Sequence, residues 1–218
     1  MHSKRLHQQA ALKSVSARRR AGFTLIELLV AISVLAIVAV LGWRGLDGIV
    51  RARVALTADM ERTRGMQLAF AQLQSDCAHL ASRSSIADRT QLLAAPDGLV
   101  LVRTVFADAQ PSRVQVIAYR LKDGRLTRRE SAATRELTEL DVLWQTAVND
   151  TDSGPAVVLQ AGVSALAMRT WTKGEPGWRT PAATAAMPNA AVLSGLEVAL
   201  QLKERPDRMV KVFLLGPV

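Results

Sequence analysis

Along the first eighty residues the hydrophobic positions fall into two patterns. From Phe23 to Trp43 the chain reads "FTLIELLVAISVLAIVAVLGW", apolar at nearly every place, with one carboxylate, Glu27. About 20 residues rising 1.5 Å each span roughly 30 Å, the depth of a hydrocarbon core. Further on, the stripe thins to Leu56, Met60, Thr63, Phe70, Cys77 and Leu80, in steps of three, four or seven, with Leu73 beside them. Such steps place side chains on one face of a helix, which predicts a long amphipathic helix docked on an apolar surface. No proline interrupts the run before Pro96. Gly42, Gly45 and Gly48 do punctuate it. Each costs up to about 1 kcal/mol against alanine, so a soft spot or bend is expected there.

After about residue 85 the pattern turns to strands. "LVLVRTVF" (99–106), "RVQVIAYRL" (113–121) and "RLTRRE" (125–130) are β-branched or alternating runs. Lys122-Asp123-Gly124 separates the last two, and Asp-Gly is a strong signal for a tight hairpin turn. Further strand-like runs cover 156–160, 163–172, 192–203 and 209–215. "VNDTDSGP" and the Pro- and Ala-rich stretch 174–190 predict loops. A long helix followed by antiparallel sheet is an α+β domain.

Charge changes the picture less than its total suggests. The formal net charge of +9 points at first to nucleic acid. However, Lys4, Arg5, Lys13, Arg18, Arg19 and Arg20 lie in an acid-free leader, which leaves 28 − 6 = 22 basic against 19 acidic residues. No basic helix or aromatic stacking platform comes after it, so the chain does not read as a nucleic-acid binder. The basic flank instead orients the apolar run, N-terminus in the cytoplasm and bulk outside.

Catalytic constellations are lacking. Of the three histidines, His2 and His7 lie in the leader, leaving His79. Neither a histidine-rich zinc site nor a two-histidine mechanism is expected. No G-x-S-x-G, P-loop or G-x-G-x-x-G occurs, and neither a cofactor nor a metal is expected. Asn149, Asp150 and Asp152 invite comparison with a calcium loop but lack its spaced ligands and distal glutamate, so they read as a polar turn. Cys77, the single cysteine, reads as a small buried apolar residue, since His79 two places on points elsewhere on a helix. Trp171 and Trp178 read as sheet-packing residues.

Glu27 is the position that needs a reason. A charge at membrane depth costs roughly 3 kcal/mol on insertion scales. A cleaved secretory signal, with Ala36 and Ala39 at its cut, is usually shorter and uncharged. A twin-arginine signal fits the arginines at 18–20 but not the residues after them, and a plain signal anchor leaves the carboxylate unexplained. "G-F-T-L-I-E-L-L-V-A" (22–31) resembles the class III signal of type IV pilins and type II secretion pseudopilins, without departure in its core positions. The resemblance implies a prepilin peptidase cut after Gly22 and N-methylation of the new terminus, Phe23. It also implies that Glu27 meets the N-terminal amine of a neighbouring subunit, with Thr24, Leu25 and Ile26 in the same assembly segment. A buried acid is tolerable when it gains a cationic partner, and the cut creates one at the same depth.

Beyond the anchor, "WRGLDGIVRAR" resembles the J-type minor pseudopilins of type II secretion. So, in order, do "LQSDCAHLASR", "YRLKDGRLTRRE", "LQAGVSALAMRTW", the Gly177-Trp178 pair and the closing "LEVALQL…MVKVFLLG". Two departures stand out: "SDC", where such proteins more often flank the acid with basic residues, and the aromatic-poor loop 174–190. The resemblance implies a pilin-like fold and a division into a leader (1–22), a transmembrane assembly helix (23–43), its periplasmic continuation (44–85) and a periplasmic β-rich domain (86–218). It implies a non-catalytic subunit of the pseudopilus tip, single-pass in the inner membrane. The implied partners are the I-, K- and H-type minor pseudopilins, the major pseudopilin, the prepilin peptidase and the inner-membrane assembly platform. K-type tip subunits usually lack the acid, so keeping Glu27 favours a place below the apex. Two other readings stay open: a minor pilin of a type IV pilus, and a membrane-tethered periplasmic enzyme or binding protein.

Overall fold

The computed structural model describes residues 22–174, 176–180, 192–204 and 207–216, so the leader and most of the 174–190 stretch lie outside the described residues. The chain divides into two compact units, Met1–Ala55 and Leu56–Val218. One helix, α1 (Leu25–Ala78, 54 residues), contributes to both.

In the first unit α1 is apolar on nearly every side from Leu25 to Leu41 and exposed along that length. An 18-residue window of it reaches a mean hydropathy of 2.8 with no part buried, and the helix is long and apolar enough to cross a membrane. A helix hydrophobic all round belongs in a core or a bilayer, and no core covers this one among the described residues. Helical structure runs unbroken through Gly42, Gly45 and Gly48, so the expected soft spot does not interrupt it. The Asp47–Arg51 pair (2.8 Å, i,i+4) supports the next turn.

In the second unit α1 acquires an inside. Met66, Ala69, Phe70, Leu73, Asp76 and Cys77 are buried, at steps of three and four. The expected stripe therefore holds from Phe70 onward, but its start is corrected: Leu56 and Met60 are 62% and 64% exposed. Periodicity identifies a face, whereas burial needs a partner surface, and that surface begins at Met66. Close approach fits the small residue just before it: a Cβ at Gly65 would meet the Gln160 side chain at 2.1 Å.

Among the described residues the strands form two antiparallel sheets. The first has five in meander order: β1 (Leu92–Ala95), β2 (Gly98–Ala107), β3 (Gln110–Lys122), β4 (Arg125–Glu130) and β5 (Ala156–Ala161). The second has three: β6 (Val163–Thr172), β7 (Leu193–Leu202) and β8 (Arg208–Leu214). The turn at Asp123-Gly124 forms as expected, with φ of 52° and 73°, the doubly left-handed geometry of a type I′ hairpin. Three of the described elements were not read from the sequence: a short 3-10 helix (Ser84–Ile86), β1, and α2 (Leu137–Val148), inserted between β4 and β5.

Alternation along the strands makes two cores from one sheet. Leu99, Leu101, Ile117, Tyr119 and Leu126 join Phe70 and Leu73 of α1 and Leu196, Leu200 and Phe213 of the second sheet. Val100, Val102, Val116 and Ala118 point the other way and pack with Ile86 and with Leu140 of α2. The five-stranded sheet is thus covered on both faces. The architecture is α+β and pilin-like, a long N-terminal helix packed on antiparallel sheet.

Candidate functional site

The N-terminal segment singled out by sequence is brought together by its own local chemistry. Thr24 precedes the first helical residue, and Glu27 is the third residue inside. The Glu27 Oε2 accepts from the Thr24 backbone N–H at 3.1 Å and from the Thr24 hydroxyl at 3.0 Å. The Thr24 Oγ1 in turn accepts from the Glu27 N–H at 3.3 Å. This is a reciprocal capping box, T-x-x-E, which satisfies helix N–H groups that have no partner of their own. The sequence reading missed it, although the signature was legible. Glu27 thus has a role within its own chain before any neighbour is considered. Around it Phe23, Leu25 and Ile26 are 85%, 83% and 71% exposed, and Gly22 is exposed too. The surface beside the capped carboxylate is apolar and uncovered.

The second unit holds a carboxylate of the opposite kind. Asp76 is fully buried, on the docked face of α1. Arg128 grips it with two bonds, Nε to Oδ2 at 2.8 Å and Nη2 to Oδ1 at 3.0 Å. Arg103 donates to Oδ1 at 2.9 Å and the Tyr119 hydroxyl to Oδ2 at 2.5 Å. Glu130 takes a further Arg128 nitrogen at 2.8 Å, so two arginines face two carboxylates and the cluster is closed. The network ties α1 to β2, β3 and β4 at one point. Burial, and then the Asp76 charge, push the Tyr119 hydroxyl far above its ordinary range. Burial alone would lower the Arg128 guanidinium, but the bonds from Asp76 and Glu130 outweigh it and hold it above its usual value. Sequence pointed to this acid only as the departure in "SDC". The available signal was its place in the stripe, three residues after Leu73 and one before Cys77.

Cys77 is buried, as expected of a small apolar residue, and burial followed by the Asp76 charge pushes its thiol up to about 12. A thiol held protonated is a poor nucleophile. His79 is exposed and its Nδ1 sits 2.8 Å from the Ser75 carbonyl. Asn149 caps α2, Asp150 approaches Arg129 at 3.4 Å, and Asp152 accepts from the Gly154 N–H at 2.7 Å. These contacts make 149–154 a hydrogen-bonded turn. Trp171 and Trp178 stack edge to face, 5.5 Å apart, over Gly195, where a Cβ would meet both rings' residues at 3.2 Å. They pack on the sheet, as read. Among the described residues no three His, Cys, Asp or Glu side chains gather to hold a metal.

Comparison with known families supplies what geometry alone does not. The model of the type II secretion system protein J matches residues 44–215. The model of the prokaryotic N-terminal methylation motif matches residues 17–43. No curated protein matches the chain. The two matches abut at residue 43/44, where the apolar run ends, and together they cover both carboxylates.

Proposed function

The chain belongs to the type II secretion system protein J family, and from that membership we propose how it works as a minor pseudopilin. The family is structural, not enzymatic, and the apolar α1 fits a single-pass anchor in the inner membrane. Prepilin peptidase cuts after Gly22 and methylates Phe23. The amine so created is a cation at the end of an apolar helix. Glu27 of one subunit receives the amine of its neighbour, and the two charges offset each other's cost at membrane depth. The β-rich domain faces the periplasm and joins I-, K- and H-type minor pseudopilins at the pseudopilus tip. There the assembly primes the filament, with the major pseudopilin added next. Retention of Glu27 supports a position below the apex. A type IV pilus subunit shares the anchor but not the protein J match across 44–215, which favours secretion.

The observation that carries this reading is a capped carboxylate amid exposed apolar surface, inside a methylation motif. Glu27→Gln tests it, because glutamine keeps the capping geometry and loses the charge. The variant chain is expected to be cut to Phe23 and methylated, by mass spectrometry of the mature N-terminus. It is expected to remain in the membrane and to drop out of co-purified I- and K-type subunits, with secretion reduced at least tenfold. Wild-type assembly and secretion by Glu27→Gln would remove the ion pair from the mechanism. A mature terminus at any residue other than Phe23 would remove the processing step.

A further inference from the structure

Where the apolar run of α1 ends, the helix carries a charge pattern that spanning a bilayer does not require. At about 1.5 Å per residue the helix rises roughly 28 Å from Leu25 to Arg44, so a bilayer that covers the run ends at this arginine. Trp43, 73% exposed, stands just before it, and tryptophan collects at the boundary between hydrocarbon and headgroups. Arg44, Arg51 and Arg53 then face a single acid, Asp47, before the next one at Asp59. Asp47 is committed to Arg51, four residues on, at 2.8 Å. Arg44 is exposed and has no hydrogen bond or ion pair among the described residues.

Each feature narrows the partner. An unpaired guanidinium calls for an acceptor, and a net basic stretch calls for an anionic one. Its place at the end of the span puts that acceptor at headgroup level, where phospholipids present phosphate oxygens and an arginine side chain reaches out to them. In zwitterionic lipid the phosphate is offset by its own ammonium. Anionic lipid leaves it uncompensated, and each basic side chain beside such a surface adds to binding. A second copy of this stretch brings the same net positive charge, which opposes it. Once the leader is cut away, these three arginines are the basic residues that flank the span. We propose that the stretch of α1 from Trp43 to Arg53 is a binding surface for anionic phospholipid headgroups, with Arg44 donating to the lipid phosphate and Trp43 at the headgroup boundary. The contact fixes how deep the helix sits. The proposal rests on the single-pass anchor and holds whether or not Glu27 pairs with a neighbour.

The test uses the full chain in phosphatidylcholine nanodiscs prepared with rising fractions of phosphatidylglycerol. Phosphatidylcholine brominated along its acyl chains should quench Trp43, measured as the difference between wild type and Trp43→Phe. By NMR, the Arg44 Nε–H and Trp43 indole N–H signals are expected to shift saturably with the phosphatidylglycerol fraction. The Nε–H of Arg169, which is bound to Glu197, should stay in place, and inorganic phosphate should move none of them. Arg44→Gln, an exposed helical position, should raise the phosphatidylglycerol fraction for half-maximal shift of the Trp43 signal about fivefold, the worth of one basic side chain at an anionic surface. Asp47→Asn removes the one acid and releases Arg51, and should lower that fraction. An unquenched Trp43 would overturn the anchor and the proposal with it. A quenched Trp43 with no saturable response to phosphatidylglycerol would overturn the proposal and leave the anchor standing. So would an equal response to inorganic phosphate, an undiminished response in Arg44→Gln, or a response in Asp47→Asn no stronger than in wild type.

Discussion

The two ends of α1 share the helical period but not an inside. Around Glu27 every side of the helix is apolar and exposed; around Asp76 one face is buried and the rest is polar. Each end carries one carboxylate where a carboxylate is costly, and they solve the problem differently. Asp76 is satisfied within the chain by two arginines and a tyrosine drawn from three strands. Among the described residues Glu27 has only Thr24, one turn away, for a capping partner. A capped acid keeps its charge without cancelling it. The contrast teaches that the second unit covers its carboxylate and its apolar face from within, whereas the apolar surface around Glu27 stays uncovered among the described residues.

Removing each acid should break this comparison most sharply. Asp76→Ala removes the acceptor shared by the buried Arg128 and the half-buried Arg103 and is expected to destabilise the domain by about 3–5 kcal/mol, the range for breaking a buried ion pair. Denaturant unfolding followed by tryptophan fluorescence measures it. Glu27→Ala in the same assay should leave the domain midpoint unchanged. Equal effects would mean that the two acids are not separate devices.

Alkaline pH probes the same buried cluster without mutation. The Cys77 thiol, ordinarily near 9.0, is raised to about 12 in the fold, and the Tyr119 hydroxyl, ordinarily near 10.0, is raised further. The folded state therefore holds these protons more tightly than the unfolded chain. Stability is full below pH 9 and falls as pH rises, by about 1.4 kcal/mol per pH unit for each group that titrates only in the unfolded chain. The loss starts near pH 9 through Cys77 and steepens past pH 10 through Tyr119. Cys77→Ala should delay its onset to about pH 10. An unchanged onset in that variant would assign the loss elsewhere.

How much of this was legible depends on how local each cause is. The apolar run, seven of the eight described strands and the Asp123-Gly124 hairpin arise from neighbours in sequence, and the structure keeps them within a residue or a few at each end. The helix α2 had a readable pattern in Leu137, Leu140, Leu143 and Ala147, but it buries only Leu140 fully and so carries a thin signal. The helical period alone extends the docked face to Leu56 and Met60, because the period is the same whether or not a sheet lies opposite. The role of Asp76 was out of reach for another reason: its partners lie 27, 43 and 52 residues away, at Arg103, Tyr119 and Arg128. The capping box needed no tertiary information at all; it was obscured because Glu27 already had an explanation through a neighbour.

Glycine separates the two regions on a smaller scale. A Cβ on Gly98 would stand 2.5 Å from the Tyr119 carbonyl, a backbone atom of β3 that cannot yield without moving the strand bearing the Asp76 contact. Gly98→Ala is expected to cost about 1–3 kcal/mol, the usual range for overpacking. Gly45 has nothing within 4 Å, and Gly45→Ala should leave the domain midpoint untouched. A tolerated Gly98→Ala would show that the β2–β3 pairing has slack, and the tight Tyr119–Asp76 geometry would then need another cause.

Thr24 gives the smallest expected effect and the finest distinction. If Glu27 were selected only to cap its own helix, its partner Thr24 would matter equally. Thr24→Ala removes the hydroxyl that both accepts from the Glu27 N–H and donates to the carboxylate. The loss of such a cap costs about 1 kcal/mol and frays one turn. It leaves the Glu27 charge available to a neighbour's amine, and it removes one competitor for that carboxylate. Thr24→Ala is therefore expected to be processed, to assemble with its partner subunits and to support secretion within about twofold of wild type, set against the loss expected for Glu27→Gln. Faster hydrogen exchange confined to residues 25–28 in micelles would register the lost cap. If Thr24→Ala failed as completely as Glu27→Gln, while still being cut after Gly22, the cap itself would be the feature that assembly needs, and the carboxylate's charge would be incidental to it.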